Sequence, residues 1–149
     1  MSMLKILIPV DGSERSLDAV HHALALTGRG LRARFVVANV QSPANLYELV
    51  VAHNPQVLQQ VSEAAGRDLM RPALELLQAA GLQVEQDVAT GDPAHTLVEI
   101  LERHGCDAVI LSAHGASGFR TQLGAVAHEM VQIAPVPVTV VRPAERDSD

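Results

Sequence analysis

The sequence predicts an α/β protein: an open five-stranded parallel sheet with helices on both faces. Two observations predict it. Five short runs rich in Val and Ile, at 4–10, 34–40, 83–89, 108–112 and 136–141, alternate with four stretches of helical periodicity. The inner runs are apolar on both faces, as strands covered from two sides require. The resulting β-α-β-α-β-α-β-α-β order calls for right-handed crossovers. A chain of 149 residues is the size of one domain, here 1–149, with its core over about 3–142 and a polar tail at 143–149.

Each helix has its own start and stop signals. Ser13 is an N-cap for a helix running to about Thr27, with Leu17, Val20, Leu24 and Thr27 along one face. Gly28 and Gly30 end it. A second helix is expected over 55–80, closed by Gly81. Pro72 inside it implies either a kink near Asp68 or two abutting helices with Pro72 in a first turn. The third runs over 93–104, with Asp92 as cap and Pro93 at the first position. The last is expected over 122–133, with Leu123, Val126, Ala127, Met130, Val131 and Ala134 on one stripe. The stretch 41–54, "QSPANLYELVVAHN", is long for a strand-to-helix connection and invites comparison with a lid.

Composition narrows the function classes. Apolar residues make up 48% of the chain and aromatics 2%, so the core is built from Val, Leu, Ile and Ala. Stacking on bases has almost no residues to use. A net charge of −6, with a single lysine (Lys5) and scattered arginines, argues against nucleic-acid and anionic-membrane partners. The apolar run in "MSMLKILIPVDGS" is too short for a signal peptide or a membrane span. One cysteine, Cys106, excludes an intramolecular disulfide and reads as a buried structural thiol. These points lead to the expectation of a cytoplasmic protein.

Ligands of open α/β sheets sit beyond the carboxyl ends of strands, where the strand order reverses. With the order 3-2-1-4-5, that crevice lies between the first and fourth strands. "PVDGS" (Pro9, Val10, Asp11, Gly12, Ser13) closes it on one side. The other side is the end of the fourth strand, Leu111 and Ser112, followed by "AHGASG". Asp11 can accept hydrogen bonds from a ribose hydroxyl or an adenine amino group, or can serve with Ser13 as a helix cap. Gly115, Gly118 and Gly124 allow close backbone approach, whose free N–H groups form an anion site. Arg120 adds charge, and His114 lies in the same crevice. The alternative is a plain connector. None of the seven histidines shows metal-ligand spacing on one helix, and no metal site is expected. The P-loop pattern and the G-x-S-x-G elbow are absent, and no general base stands beside a nucleophile, so no catalytic residue is assigned.

Four blocks in order, "KILIPVDGSERSLDAVHHALAL", "VVANV", "VATGDPAHTLVEILERHGCDAVILSAHG" and "APVPVTVVRP", resemble the universal stress protein family over about 3–143. The resemblance implies a Rossmann-like sheet in the order 3-2-1-4-5 and a stress-response role. It also implies a homodimer joined through the last strand, here Val136, Val138 and Val140. Members that bind ATP share Gly, two residues, Gly, nine residues, Gly, then Ser or Thr. The matching positions here are Ser112, Gly115, Gly124 and Ala125, with eight residues in the long gap. By resemblance, Asp11 meets the nucleoside, Val40 the adenine, and Gly115, Gly124 and Val126 the phosphates. Two outcomes are expected. One is weak binding of an adenine nucleotide (ATP with Mg²⁺, ADP or AMP) without catalysis. The other is a non-binding dimer that acts through protein partners.

Overall fold

The computed structural model describes residues 3–42, 55–114 and 123–143. Its elements, in chain order, are β1 (Leu4–Pro9), a short 3₁₀ turn (Glu14–Ser16), α1 (Leu17–Gly28), β2 (Ala33–Gln41), α2 (Pro55–Ala79), β3 (Val84–Thr90), α3 (Pro93–His104), β4 (Ala108–Ser112), α4 (Ala125–Ile133) and β5 (Val138–Val141). The strands form one parallel sheet in the order β3-β2-β1-β4-β5, as expected.

Alternation along each strand sorts the core into two layers. Ile6, Ile8, Phe35 and Val37 face α1 and α2, where they meet Ala19, Val20, Ala23, Met70, Ala73 and Leu77. Leu7, Val36, Ala38, Val109 and Leu111 face α3 and α4, where they meet Leu97, Ile100, Leu101, Ala127 and Met130. With almost no aromatics, close packing relies on small residues: Ala19 and Ala23 are fully buried and let α1 lie close to the sheet.

Three boundaries differ from expectation by more than a residue. Ser13 caps the 3₁₀ turn rather than α1, its side chain accepting from the Ser16 N–H, so the α-helix begins only at Leu17. The deepest stripe of α1 is correspondingly Ala19, Val20 and Ala23, with Leu17 and Leu24 only partly buried. The last helix begins at Ala125, not 122, because Gly124 has extended backbone and serves as its N-cap. The last strand begins at Val138, which leaves Val136 outside it. Pro135 and Pro137 flank Val136, and proline has no N–H to give a ladder.

Pro72 does not split α2, which is one helix. Pro72 lies on its exposed face, so the Asp68 carbonyl that loses its partner faces water. The opposite face seats Met70, Ala73 and Leu77, all with 0% exposure. The helix also crosses β3 at close range: a Cβ added at Gly66 would lie 2.5 Å from a methyl of Val88. Gly66→Ala is therefore expected to destabilise the fold by about 1–3 kcal/mol, although alanine favours an isolated helix by roughly 1 kcal/mol. Denaturant unfolding of Gly66→Ala and of Gly66→Ala with Val88→Ala checks this. The second change should recover part of the loss, and a stabilised single variant would refute the close packing.

Candidate functional site

The sheet order reverses between β1 and β4. Their ladder pairs only Ile6 with Ala108 and Leu7 with Val109, and it stops there although both strands run on. β1 and β2 stay paired to Pro9 and Ala38. The carboxyl ends of β1 and β4 thus form the crevice on which the sequence reading converges.

On the β1 side, Pro9 is half-buried, Val10 is buried and Asp11 is exposed. Asp11 Oδ1 accepts from the Ser13 N–H (2.9 Å) and from the Ser13 hydroxyl. Gly12 makes the turn with φ of +88°, a left-handed conformation that suits glycine. The space a Cβ would need there is filled by the Leu69 side chain of α2. Asp11 therefore acts in the turn through one carboxylate oxygen, and both readings of it, cap and ligand acceptor, are compatible with this geometry.

On the β4 side, Leu111 is buried and Ser112 half-buried, and His114 is 3% exposed. Ser112 takes the place of the first glycine in the ATP-binding pattern. Its hydroxyl accepts from the Ala19 N–H and donates to the Ser16 carbonyl, both at 3.1 Å. Ala19 lies in the first turn of α1, where backbone N–H groups have no intrahelical partner. The Ser16 cap position makes no side-chain cap bond to this helix. Ser112 supplies a cap from across the sheet, which a glycine cannot do.

Gly115, Gly118 and Arg120 lie outside the described residues, as do most of the proposed lid and the end of the tail. The ends of the glycine segment are fixed by the Gly124 N–H, which donates to the Ala113 carbonyl at 2.7 Å. Gly124 and Ala125 then form the start of α4, with Ala125 exposed and Val126 packed partly into the α3–α4 layer. Val40 is half-buried near the end of β2, beside Ala89 of β3. It lies one strand beyond β1 from β4. The structure thus brings Val10, Asp11, Ser112, His114 and Gly124 to the same end of the sheet.

Sequence reasoning missed Asn39. It is 3% exposed, its amide donates to the Val10 carbonyl at 2.9 Å, and its Oδ1 accepts from Gln41 at 3.2 Å. A polar residue inside "VVANV" was the available signal.

A family model for the universal stress protein family matches residues 3–142. The chain belongs to the universal stress protein family. Among curated relatives it is 25% identical to universal stress protein MJ0531 of Methanocaldococcus jannaschii, covering 96% of this chain and 84% of that one. It is also 25% identical to YxiE of Bacillus subtilis, covering 93% and 98%. Among solved structures, MJ0577 of M. jannaschii superposes with a TM-score of 0.76 at 21% identity, over 98% of this chain and 100% of that one. An Arabidopsis thaliana family protein with AMP bound gives 0.70 at 18% identity, over 98% and 95%. A universal stress protein from Archaeoglobus fulgidus in complex with dAMP gives 0.64 at 13% identity, over 95% and 98%. At these identities the superpositions establish the shared fold.

Away from the crevice, Asp92, His95 and Glu129 bring one metal-ligand type atom each to within 4.8 Å of one another. Sequence spacing did not show this group, because Glu129 comes from α4 and the others from the start of α3. All three are explained without an ion. Asp92 Oδ2 accepts from the His95 N–H (3.3 Å) as the cap of α3 and meets His95 Nδ1 at 2.6 Å. Glu129 approaches the same nitrogen at 3.4 Å. The hydrogen bond to Asp92, then the charges of Asp92, Glu129 and Glu99, raise the His95 pKa above its ordinary 6.5. The same pair lowers Asp92 below its ordinary 3.8.

The stabilisation from His95 is complete below pH 6.5 and fades as pH rises through its higher folded-state value. That from Asp92 is complete above pH 3.8 and fades as pH falls through its lower one. An NMR titration is expected to place the His95 midpoint above 6.5 and to move it down in Asp92→Asn. An unmoved midpoint in the variant would contradict the pairing.

Proposed function

We propose that this protein binds an adenine nucleotide weakly in the crevice between β1 and β4, without catalysing a reaction on it, as part of a cytoplasmic stress response. The observation that carries the reading is the exposed Asp11 turn, held at the reversal point of a universal stress protein fold. Relatives of the same fold bound to AMP and dAMP support the choice of ligand. Asp11 would take the ribose or adenine, Val40 the adenine edge, and Ser112 to Val126 the phosphates, with Mg²⁺ accompanying a triphosphate. The free N–H groups at the start of α4 suit an anion. Ala125 keeps its N–H there but offers no hydroxyl. One such bond to a charged group is worth roughly 1.5–3 kcal/mol, or about ten- to a hundredfold in affinity. No described helix is long and apolar enough to cross a membrane.

Calorimetric titration with Mg²⁺-ATP and with AMP is expected to give dissociation constants weaker than about 10 μM, and Ala125→Ser is expected to tighten them. Nanomolar binding by the unaltered chain would refute the weakness. An unchanged affinity in Ala125→Ser would place the phosphates elsewhere.

The second reading, a dimeric interaction module, draws on the two sheet edges. The β3 edge carries Glu85 and Asp87, which pair with Lys5, Arg103 and His104. Charges of this kind oppose strand addition. The β5 edge carries Val138, Val140 and Val141, half-buried, with only Thr139 polar. A homodimer through β5 accounts for this asymmetry. Sedimentation at micromolar concentration should give a dimer that Val140→Lys dissociates. A monomer in the unaltered chain would refute it.

A further inference from the structure

The Asp11 turn has a buried support that reaches it from β2. Asn39 is the last fully buried residue of β2 before the strand end and one of few polar groups that the described core encloses. An enclosed amide is costly unless its hydrogen bonds are made. Here they are made in a way that serves the turn. The Val10 N–H donates to the Ala38 carbonyl at 2.9 Å, and the Val10 carbonyl accepts from Asn39 Nδ2 at 2.9 Å. The two polar groups that flank the Val10 Cα are thus both tied to β2. The next peptide is that of Asp11, whose backbone direction is therefore set from below.

Asn39 is itself held. Gln41 Nε2 donates to its Oδ1 at 3.2 Å. The Ser62 hydroxyl of α2 donates to Gln41 Oε1 at 3.4 Å and lies 3.3 Å from Thr90 Oγ1 of β3. Ser62 is 4% exposed. A chain of side chains thus runs from α2 and β3 through Gln41 and Asn39 to the carbonyl before Asp11. From the outside, Leu69 of the same helix fills the slot over Gly12.

We propose that Asn39 is a positioning residue for nucleotide binding: it holds the Val10 carbonyl and so fixes the Asp11 carboxylate toward the nucleoside. This rests on the reading that Asp11 meets the nucleoside. A merely structural Asn39 would lower stability and nothing else. The positioning role adds two effects: a looser turn and a weaker ligand.

The test compares Asn39→Ala and Asn39→Leu with Leu77→Ala, a buried core truncation in α2 away from the turn. Asn39→Leu keeps the number and branching of side-chain heavy atoms and removes the donor, so it decides the matter if the alanine variant does not fold. Two quantities are read: the ¹⁵N order parameters of the Gly12 and Ser13 amides, and the affinity for AMP. In the Asn39 variants the order parameters should fall from about 0.85 toward 0.6, and AMP should bind about tenfold more weakly. Leu77→Ala should leave both unchanged at a comparable loss of stability. Unchanged order parameters in the Asn39 variants would overturn the proposal, as would a loosened turn with unchanged affinity. If the unaltered protein does not bind AMP, the nucleotide reading fails on its own. The order parameters then still decide whether Asn39 holds the turn.

Discussion

The seam between β1 and β4 is the constraint on which the rest of the structure depends. It is one of the two junctions of the central strand β1 and has the shortest run of paired residues in the sheet. At its base, the Asp107 N–H donates to the Lys5 carbonyl at 2.7 Å, and the Lys5 N–H donates to Asp107 Oδ2 at 2.9 Å. At its top, where the ladder has stopped, the Ser112 hydroxyl joins β4 to the start of α1. The strand pair is thus tied by an aspartate at its base, while a serine ties the far end of β4 to α1. Both layers of the core flank it, with Ile6, Ile8 and Ile110 on one side and Leu7, Val109 and Leu111 on the other. The ladder is thus short and held at its base, and beyond Leu7 and Val109 the two strands are no longer paired with each other.

The same seam explains the chemistry of its surroundings. Cys106, just before β4, is buried at 6% exposure, and burial pushes its thiol up to about 11. It stays protonated near neutrality and packs as a small apolar group. The charged groups gather instead at the β3 edge, where Lys5 holds Glu85 below the usual carboxylate range. Beneath the charged Asp11, the more enclosed polarity of the carboxyl end is of another kind: hydrogen-bonded amides and hydroxyls (Asn39, Gln41, Ser62, Thr90, Ser112) that carry no charge.

Much of this was legible in the sequence, for identifiable reasons. The parallel sheet could be read because its inner strands are apolar on both faces, and the start of α3 because Asp92 and Pro93 mark it. Boundaries failed where a local signal was overridden or doubled. Ser13 is a good N-cap, but of a 3₁₀ turn. Pro72 breaks helices in general, yet it sits here on a solvent face. The apolar run at 136–141 is shortened by its prolines. In the candidate site, the exposed Asp11 was legible as a carboxylate at the end of β1, and the glycine segment as a motif of the sequence alone. The site was not legible where side chains act at a distance. Asn39 and Ser112 reach partners 29 and 93–96 residues away, and no spacing rule encodes such pairs.

The central claim is that an adenine nucleotide sits where the β1–β4 seam opens. Amide chemical-shift mapping on addition of AMP tests it most directly. The account predicts shifts at Val10 to Ser13, Val40 and Gln41, Ser112 to His114, and Gly124 to Val126. The β3 edge around Glu85 and Asp87 should stay unmoved. Shifts centred on another face of the molecule, or none at millimolar AMP, would contradict it.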